Sequence, residues 1–441
     1  MCYAPVMLNA VHSEAVDRVL ACLYQQGHTK LSSFLFGRPG AAIWERNLGT
    51  ELFVDRKTYT EALMFVREHG ASHLRSIAIS DLWSMMTTFI TDNFWYIGGR
   101  TFLSFSDDPY SARVGSADRL ALAEALARSP MFSPAPELTM YPLVSVRVTD
   151  GFDSDRFFLL APEELDHRHM PARAARAQLD PTSFPPTLDW TGVRHRPGSW
   201  LGVRSPLALV SNKMRSAILG AVALTPPWRQ RYMHSGREVF GGRCTYNNGF
   251  TVSMSADPHA PPMMDDVTIG AADHAWLIKL AVLLQAEDLA SRRRLRALEY
   301  FYRAWFLDPR ERFPVLCMAL DSLVGASSRH TFEAIAFVQN VLGSRVDGAR
   351  LALLMRVRGA VIHGAAPDVY DSEHYARYYV DYGADPIRDV ELVVARCLRE
   401  MIFEGHMLVH AHPKQALIDN LQAHGKVGPL TIPEAIISTE D

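Results

Sequence analysis

The sequence predicts an α+β amino-terminal region followed by an all-α helical-bundle carboxy-terminal domain. Strand and helix signals alternate over residues 1–260, whereas only helical periodicity is found beyond residue 266. The stretch DPHAPPMMDD (257–266) lies between them and has the proline content of a linker. We therefore predict a mixed region over residues 1–260, with an internal boundary near residue 135, and a helical-bundle domain over residues 266–441.

The amino-terminal region contains both types of local signal. SEAVDRVLACLYQQ and KTYTEALMFVREHG are predicted helices, the second ending at Gly70. FWYIGGRTFLSF predicts a hairpin that turns at Gly98-Gly99. MYPLVSVRVTD and DRFFLLAP predict strands, and RCTYNNGFTVSMS predicts a hairpin with its turn at Asn248-Gly249. No catalytic motif is recognised in this region, so we expect it to sense or regulate.

The carboxy-terminal region is predicted to contain about five helices with short connections. Residues 273–307 are consistent with one long helix or two abutting ones. The further predicted helices are ERFPVLCMALDSLVG, TFEAIAFVQNVLG, DGARLALLMRVRGAVIHG and DPIRDVELVVARCLREMIFEGHMLVHA. Such an arrangement is typical of a helical bundle.

Composition limits the classes of function. The 441 residues include 48% hydrophobic residues and carry a net charge of -3, so no general basic field marks a nucleic-acid binder. Any RNA contact must then come from a local cluster of charges. The five cysteines contain no C-x-x-C pair, which argues against a zinc ribbon or a disulfide framework. Without a signal peptide or a long apolar run, we expect a soluble cytoplasmic protein without membrane contact.

The stretch LLMRVRGAVIHGAAPD (353–368) places an arginine inside an apolar helical stripe. Arg358 falls among the apolar residues of one helix face, which are Leu351, Leu354, Met355, Val361 and Ile362. A buried guanidinium must be paired or must lie at an interface. His363 ends the helix before Gly364. On one helix the two side chains are about 140° apart and do not converge, so we predict that two-fold symmetry brings two copies of the helix around one groove.

These residues resemble the signature of the HEPN superfamily. The resemblance consists of Arg358, four intervening residues, then His363 and Gly364 within a helical bundle. The upstream VLCMALDSLVG resembles the "ALExL" helix of the Apea-like branch, with Asp321 at the position of its acid. RRRLRALEYFYRAW is similar to the first helices of that branch. The resemblance covers residues 270–410, under half of the chain.

The resemblance implies a homodimeric endoribonuclease that needs no metal and no cofactor. In this interpretation Arg358 holds the scissile phosphate, His363 transfers the proton of the 2′-hydroxyl or the leaving group, and Asp321 orients Arg358. It also implies an RNA substrate, a role in toxin or phage-defence systems, and a trigger that acts on the amino-terminal region. Active members usually carry a polar residue after the arginine, where this chain has Gly359. The alternative is a catalytically silent module for dimerisation and RNA binding.

Other readings stay open for several of these residues. Arg358 and Asp321 are also consistent with a purely structural ion pair, and Arg356 and SRRRLR (291–296) with solvated helix faces or phosphate contacts. His406 and His410 have a helical i, i+4 spacing that suits zinc, and His167 and His169 form a second histidine pair, in a loop. A metallohydrolase that uses these histidines is the third hypothesis, and sensitivity to EDTA distinguishes it from the first.

Overall fold

The computed structural model describes residues 8–38, 42–99, 104–170, 197–247, 250–325, 330–426 and 434–437. The chain divides into two compact units, Met1–Pro136 and Glu137–Asp441. The first unit combines helices with a small sheet, and the second combines a larger sheet with the carboxy-terminal helices. The fold class is therefore mixed α+β. Among the described residues, the strands lie before residue 270 and the regular elements after it are helices.

The first unit packs helices against a small antiparallel sheet. Its elements are α1 (Ala10–Cys22), β1 (Leu23–Tyr24), β2 (Thr29–Phe36), β3 (Leu48–Val54), α2 (Arg56–His69), α3 (Ile79–Asp92) and α4 (Ser116–Ala127). The strand order is β1-β3-β2. The Asp55 carboxylate caps α2 by accepting the Thr58 N–H at 2.9 Å. The predicted end of this helix at Gly70 is confirmed.

The segment FWYIGGRTFLSF does not form the predicted hairpin. Trp95–Gly99 forms one π-helical turn instead, and residues 100–103 lie outside the described residues. A Cβ atom on Gly98 would lie 2.7 Å from Cζ of Phe94, and one on Gly99 would lie 2.9 Å from Cε3 of Trp95. The glycines are therefore needed for close packing against aromatic rings. From the sequence alone, glycines that are needed for close packing cannot be distinguished from glycines that are needed for the backbone conformation of a turn.

The second unit begins with a six-stranded sheet. The strands of this unit are β4 (Glu137–Leu143), β5 (Val146–Val148), β6 (Phe152–Asp153), β7 (Phe157–Leu160), β8 (Ser199–Ser205), β9 (Gly241–Asn247), β10 (Phe250–Pro258) and β11 (Val267–Ile269). The sheet has the order β10-β9-β4-β8-β7-β6 with antiparallel pairs, and β5 pairs with β11 in parallel. The predicted strands and the β9-β10 hairpin are confirmed. The predicted turn at Asn248-Gly249 lies outside the described residues.

Helices cover most of the remaining described residues of this unit. They are α5 (Ala208–Val222), α6 (Trp228–Arg231), α7 (His274–Leu283), α8 (Leu289–Ala304), α9 (Pro309–Val324), α10 (His330–Leu342), α11 (Gly348–Ile362), α12 (Glu373–Tyr382), α13 (Pro386–Phe403) and α14 (Gln415–Ala423). The run 273–307 is thus two helices. The predicted continuation of α13 to residue 411 is wrong, because Glu404 and Gly405 have positive φ angles of 49° and 78°. Within the described residues, every helix is too short or too polar to cross a membrane.

One hydrophobic core joins the sheet to the carboxy-terminal helices. A Cβ atom on Gly220 of α5 would lie 2.1 Å from the carbonyl oxygen of Leu298 in α8, so these helices are in backbone contact. His259 and Met263, within the proline-rich stretch 257–266, are 2% and 0% exposed. That stretch is packed into the core, and the predicted boundary between residues 260 and 266 falls inside the second unit.

Candidate active site

The candidate residues lie on two neighbouring helices of the second unit. α11 begins at Asp347, whose carboxylate accepts the N–H groups of Ala349 and Arg350, and it contacts α9, α10, α12 and α13. Leu351, Leu354 and Met355 are completely buried, as the apolar stripe predicts. The stripe reaches the surface after Arg358, because Val361 is half-buried and Ile362 is 36% exposed.

Arg358 is paired with Asp321. Its Nη2 atom donates to Oδ1 of Asp321 at 2.7 Å and to Oδ2 at 2.6 Å. The Arg358 side chain is 3% exposed and the Asp321 side chain 28% exposed. The two residues that the sequence places on separate helices are therefore brought into direct contact, with the carboxylate between the guanidinium and solvent. A charge-assisted pair of this kind is among the stronger hydrogen bonds in proteins.

The remaining nitrogens of Arg358 are unsatisfied. Nε and Nη1 are buried and have no hydrogen-bond partner among the described residues. Burial also raises the pKa of the nearby Cys317 thiol, an effect that outweighs the lowering caused by the Arg358 charge. The thiol is therefore neutral and adds no negative charge to the site. Buried N–H donors without a partner are costly and uncommon in native structures.

His363 lies at the surface where α11 ends. It is the C-cap residue, its backbone N–H bonds to the carbonyl of Gly359 at 3.1 Å, and Gly364 follows with φ of 74°. The imidazole is exposed, and no hydrogen bond or ion pair of it is found in the described part of the chain. The structure thus joins Arg358 to Asp321, but no contact joins His363 to either of them.

The same unit contains further buried arginines that the sequence analysis missed. Nε of Arg350 donates to Oη of Tyr378 at 3.1 Å and to Oδ2 of Asp389 at 2.8 Å, while its Nη1 donates to the carbonyl of Glu434 at 2.9 Å. This guanidinium therefore has partners on three segments of the chain. Arg358, by comparison, bonds only to Asp321 among the residues that the structure describes.

A second such pair joins α6 to α13. Arg231 bonds to Glu391, and both side chains are at most 2% exposed. Buried ion pairs therefore occur repeatedly in this bundle. Their recurrence supports the interpretation of Arg358–Asp321 as a purely structural ion pair. What distinguishes Arg358 is its two unsatisfied nitrogens beside a carboxylate that reaches solvent.

The two histidine pairs have other contacts in the described part of the chain. Nε2 of His410 lies 2.8 Å from Oδ1 of Asp273, and His406 is exposed on a non-helical segment, so the predicted helical spacing is not realised. His169 lies between Asp153 and Asp166, at 3.5 Å and 2.9 Å. Among the described residues, no three His, Cys, Asp or Glu side chains are grouped in a way that could hold a metal ion.

Comparison of the chain with models of protein families, with curated proteins and with solved structures gave no match. The resemblance to the HEPN superfamily therefore depends on Arg358, His363, Asp321 and the helices that carry them.

Proposed function

We propose that this chain is a metal-independent endoribonuclease of the HEPN type, with a site built from Arg358, His363 and Asp321. The observation that carries the proposal is the state of Arg358. Its guanidinium is buried, held on one side by Asp321, and left with two nitrogens, Nε and Nη1, that have no partner among the described residues. An exposed histidine without partners in the described residues follows on the same helix, about 7.5 Å further along its axis.

These groups are suited to RNA because RNA supplies its own nucleophile. The 2′-oxygen attacks the neighbouring phosphorus, the bond from phosphorus to the 5′-oxygen breaks, and a 2′,3′-cyclic phosphate and a 5′-hydroxyl form. His363 accepts the proton of the 2′-hydroxyl or donates one to the departing 5′-oxygen. The Arg358 guanidinium stabilises the charge that develops on the phosphoryl oxygens.

The site is completed by a second copy of the chain in this proposal. In the single chain the unused Arg358 nitrogens are shielded from solvent, and His363 does not contact Arg358. Two α11 helices related by two-fold symmetry would supply two arginines and two histidines to one groove. Light scattering of the purified chain at micromolar concentration should therefore give the mass of a dimer. A monomer that retains full activity would refute the shared site.

The proposed reaction is tested by its products. The purified chain is incubated with a mixed RNA pool and with the same sequences as DNA, each with and without EDTA. We expect RNA to be cut equally in both conditions, with 2′,3′-cyclic phosphate and 5′-hydroxyl ends, and DNA to remain intact because it lacks the 2′-hydroxyl. Cleavage that stops in EDTA would favour the metallohydrolase hypothesis.

The resemblance adds a role in toxin or phage defence, with a trigger that acts on residues 1–260.

The second candidate is a catalytically silent HEPN module that dimerises and binds RNA. Two observations favour it: the guanidinium of Arg358 is shielded, and Gly359 stands where active members of the resembled family carry a polar side chain. Binding of the RNA pool without any cleavage would support this candidate.

A further inference from the structure

Arg293 of α8 occupies a defined position at the carboxy-terminal end of α9. A Cβ atom on Gly325, the C-cap residue of α9, would lie 2.6 Å from Nη1 of Arg293 and 3.0 Å from its Cζ. Gly325 also has φ of 92°, a conformation that favours glycine. The guanidinium therefore rests directly on the Gly325 backbone, in space that any other residue would fill.

Among the described residues, this guanidinium has no partner that neutralises it. No hydrogen bond or ion pair of Arg293 is found in the described part of the chain, and its side chain is half-buried. Arg296, on the same helix, is by contrast bonded to Glu299 at 2.6 Å and to Oη of Tyr300 at 3.1 Å. The negative end of the α9 dipole favours a cation beside Gly325, but it leaves the N–H donors of Arg293 unused.

Arg293 lies close to the proposed active site. Gly325 follows Asp321 by four residues, and its N–H bonds to the Asp321 carbonyl at 2.9 Å. The two positions are therefore on one face of α9, about 6 Å apart along the axis. The Asp321 carboxylate is bonded to Arg358, and no ion pair joins it to Arg293. A positive charge whose donors are unused within the described part of the chain thus flanks the ion pair that carries the proposed function.

We infer that Arg293 binds a backbone phosphate of the RNA strand next to the scissile one. This inference rests on the proposed function for its ligand, and it assigns to Arg293 the positioning of the strand and no part in the chemical step. An arginine fork matches the oxygens of a phosphate, and phosphate contacts fix the register of a nucleic acid without reading its sequence. The site would therefore bind RNA of any sequence.

The test separates binding from cleavage by using a probe that cannot be cut. A fluorescein-labelled 2′-O-methyl RNA of mixed sequence lacks the 2′-hydroxyl nucleophile, and its affinity is measured by anisotropy over a series of salt concentrations. The variants of the full-length chain are Arg293→Gln, which removes the charge and keeps a polar side chain, and Arg293→Lys, which keeps the charge. Arg303→Ala is the matched control, because Arg303 is an exposed arginine three turns along the same helix.

We expect Arg293→Gln to weaken binding about tenfold. It should also lower the slope of log affinity against log salt by about 0.7, the value of one phosphate contact to a single strand. Arg293→Lys should keep that slope and lose only part of the affinity, and Arg303→Ala should behave as the unaltered chain. Unchanged affinity and slope in Arg293→Gln would overturn the inference, as would an unaltered chain that binds no RNA. If RNA is bound through Arg293 but never cut, the inference holds and the proposed cleavage fails.

Discussion

At the scale of single residues, Arg358 is the unusual feature of this chain. A guanidinium that is 2% exposed and bonded through one nitrogen leaves two buried donors unsatisfied. A buried ion pair adds little net stability, but removing one partner of such a pair is strongly destabilising. The Arg358–Asp321 pair should therefore respond asymmetrically to substitution of its two members.

We expect Asp321→Ala to lower the free energy of unfolding by about 2 kcal/mol, because it leaves the Arg358 charge buried and alone. Arg358→Met should cost less, since the remaining Asp321 carboxylate is 28% exposed and can be hydrated. The double variant should lose less than the sum of the two single losses. Urea unfolding of all four proteins measures these values. Additive losses, or a larger loss in Arg358→Met, would show that the pair is not what stabilises this position.

The buried and half-buried charged residues of this chain were only partly predictable from the sequence. Arg358 was recognisable because it interrupts an apolar stripe, and Asp321 because it lies on a helix that resembles a known motif. Asp389 and Glu391 give no such signal, although both are completely buried. Charged residues near the start of a helix are typical of a solvated face, and their burial is compensated by Arg350 and Arg231 from distant segments. Arg293 was expected within a stretch that forms either a charged helix face or phosphate contacts, and its position against Gly325 singles it out from the neighbouring arginines.

At the scale of elements, His259 links three parts of the second unit. Nε2 of His259 bonds to the carbonyl of Gly242 in β9, and its Nδ1 lies 3.2 Å from Nη1 of Arg215 in α5. Its own carbonyl accepts the hydroxyl of Tyr302 in α8 at 3.1 Å. Since an arginine can only donate, Nδ1 is the acceptor and Nε2 carries the proton. The imidazole must be neutral to make both bonds.

This linkage predicts how stability depends on pH. Burial, together with the charge of Arg215, lowers the pKa of His259 from 6.5 to about 4 in the folded chain. Between these pH values the unfolded chain binds a proton that the folded chain does not, so the free energy of unfolding falls as the pH falls. We expect a loss on the order of 3 kcal/mol from pH 6.5 to 4. Urea titrations across this pH range should show this loss of unfolding free energy in the unaltered chain. His259→Gln should lack the part of the loss that comes from protonation of His259. An identical pH dependence in both proteins would contradict the assignment.

Elements whose apolar residues recur with one clear period were predictable from the sequence. Elements whose conformation depends on tertiary packing were not. The helices around Asp321 and Arg358 and the β9-β10 hairpin have the expected apolar spacing. The π-helical turn at Trp95–Gly99 depends on aromatic rings that fill the space beside two glycines. α13 ends at Phe403 although apolar residues continue after it, because Glu404 and Gly405 have positive φ angles. Tertiary packing overrides local preference at such positions.

At the scale of the whole molecule, the sheet and the helical bundle of the second unit are not separable. The core includes residues from β4 to the carboxy-terminal Ile437. Nε1 of Trp305 donates to the carbonyl of Arg231 at 3.0 Å, and the Arg231 side chain bonds to the buried Glu391. These contacts connect residues on both sides of the stretch 257–266, whose prolines indicated a linker in the sequence.

We therefore expect the fragment 137–441 to unfold cooperatively and the fragment 266–441 not to fold. The shorter fragment lacks Arg231, so Glu391 would be a buried charge without its partner, at a cost of about 3–5 kcal/mol. It would also lose the α5 surface that packs on α8. Urea unfolding followed by tryptophan fluorescence compares the two fragments. A cooperative transition in the fragment 266–441 would show that the helices form an independent domain.

The most direct test of the central claim compares two exposed histidines that are both C-cap residues of helices. His363 ends α11, the helix that carries Arg358, whereas His424 ends α14, which carries none of the candidate residues. RNA cleavage in EDTA is measured for the unaltered chain, His363→Ala and His424→Ala. The proposed mechanism predicts a loss of 10²-fold or more in His363→Ala, the contribution of a general acid or base, and no loss in His424→Ala. Undiminished cleavage by His363→Ala would contradict it.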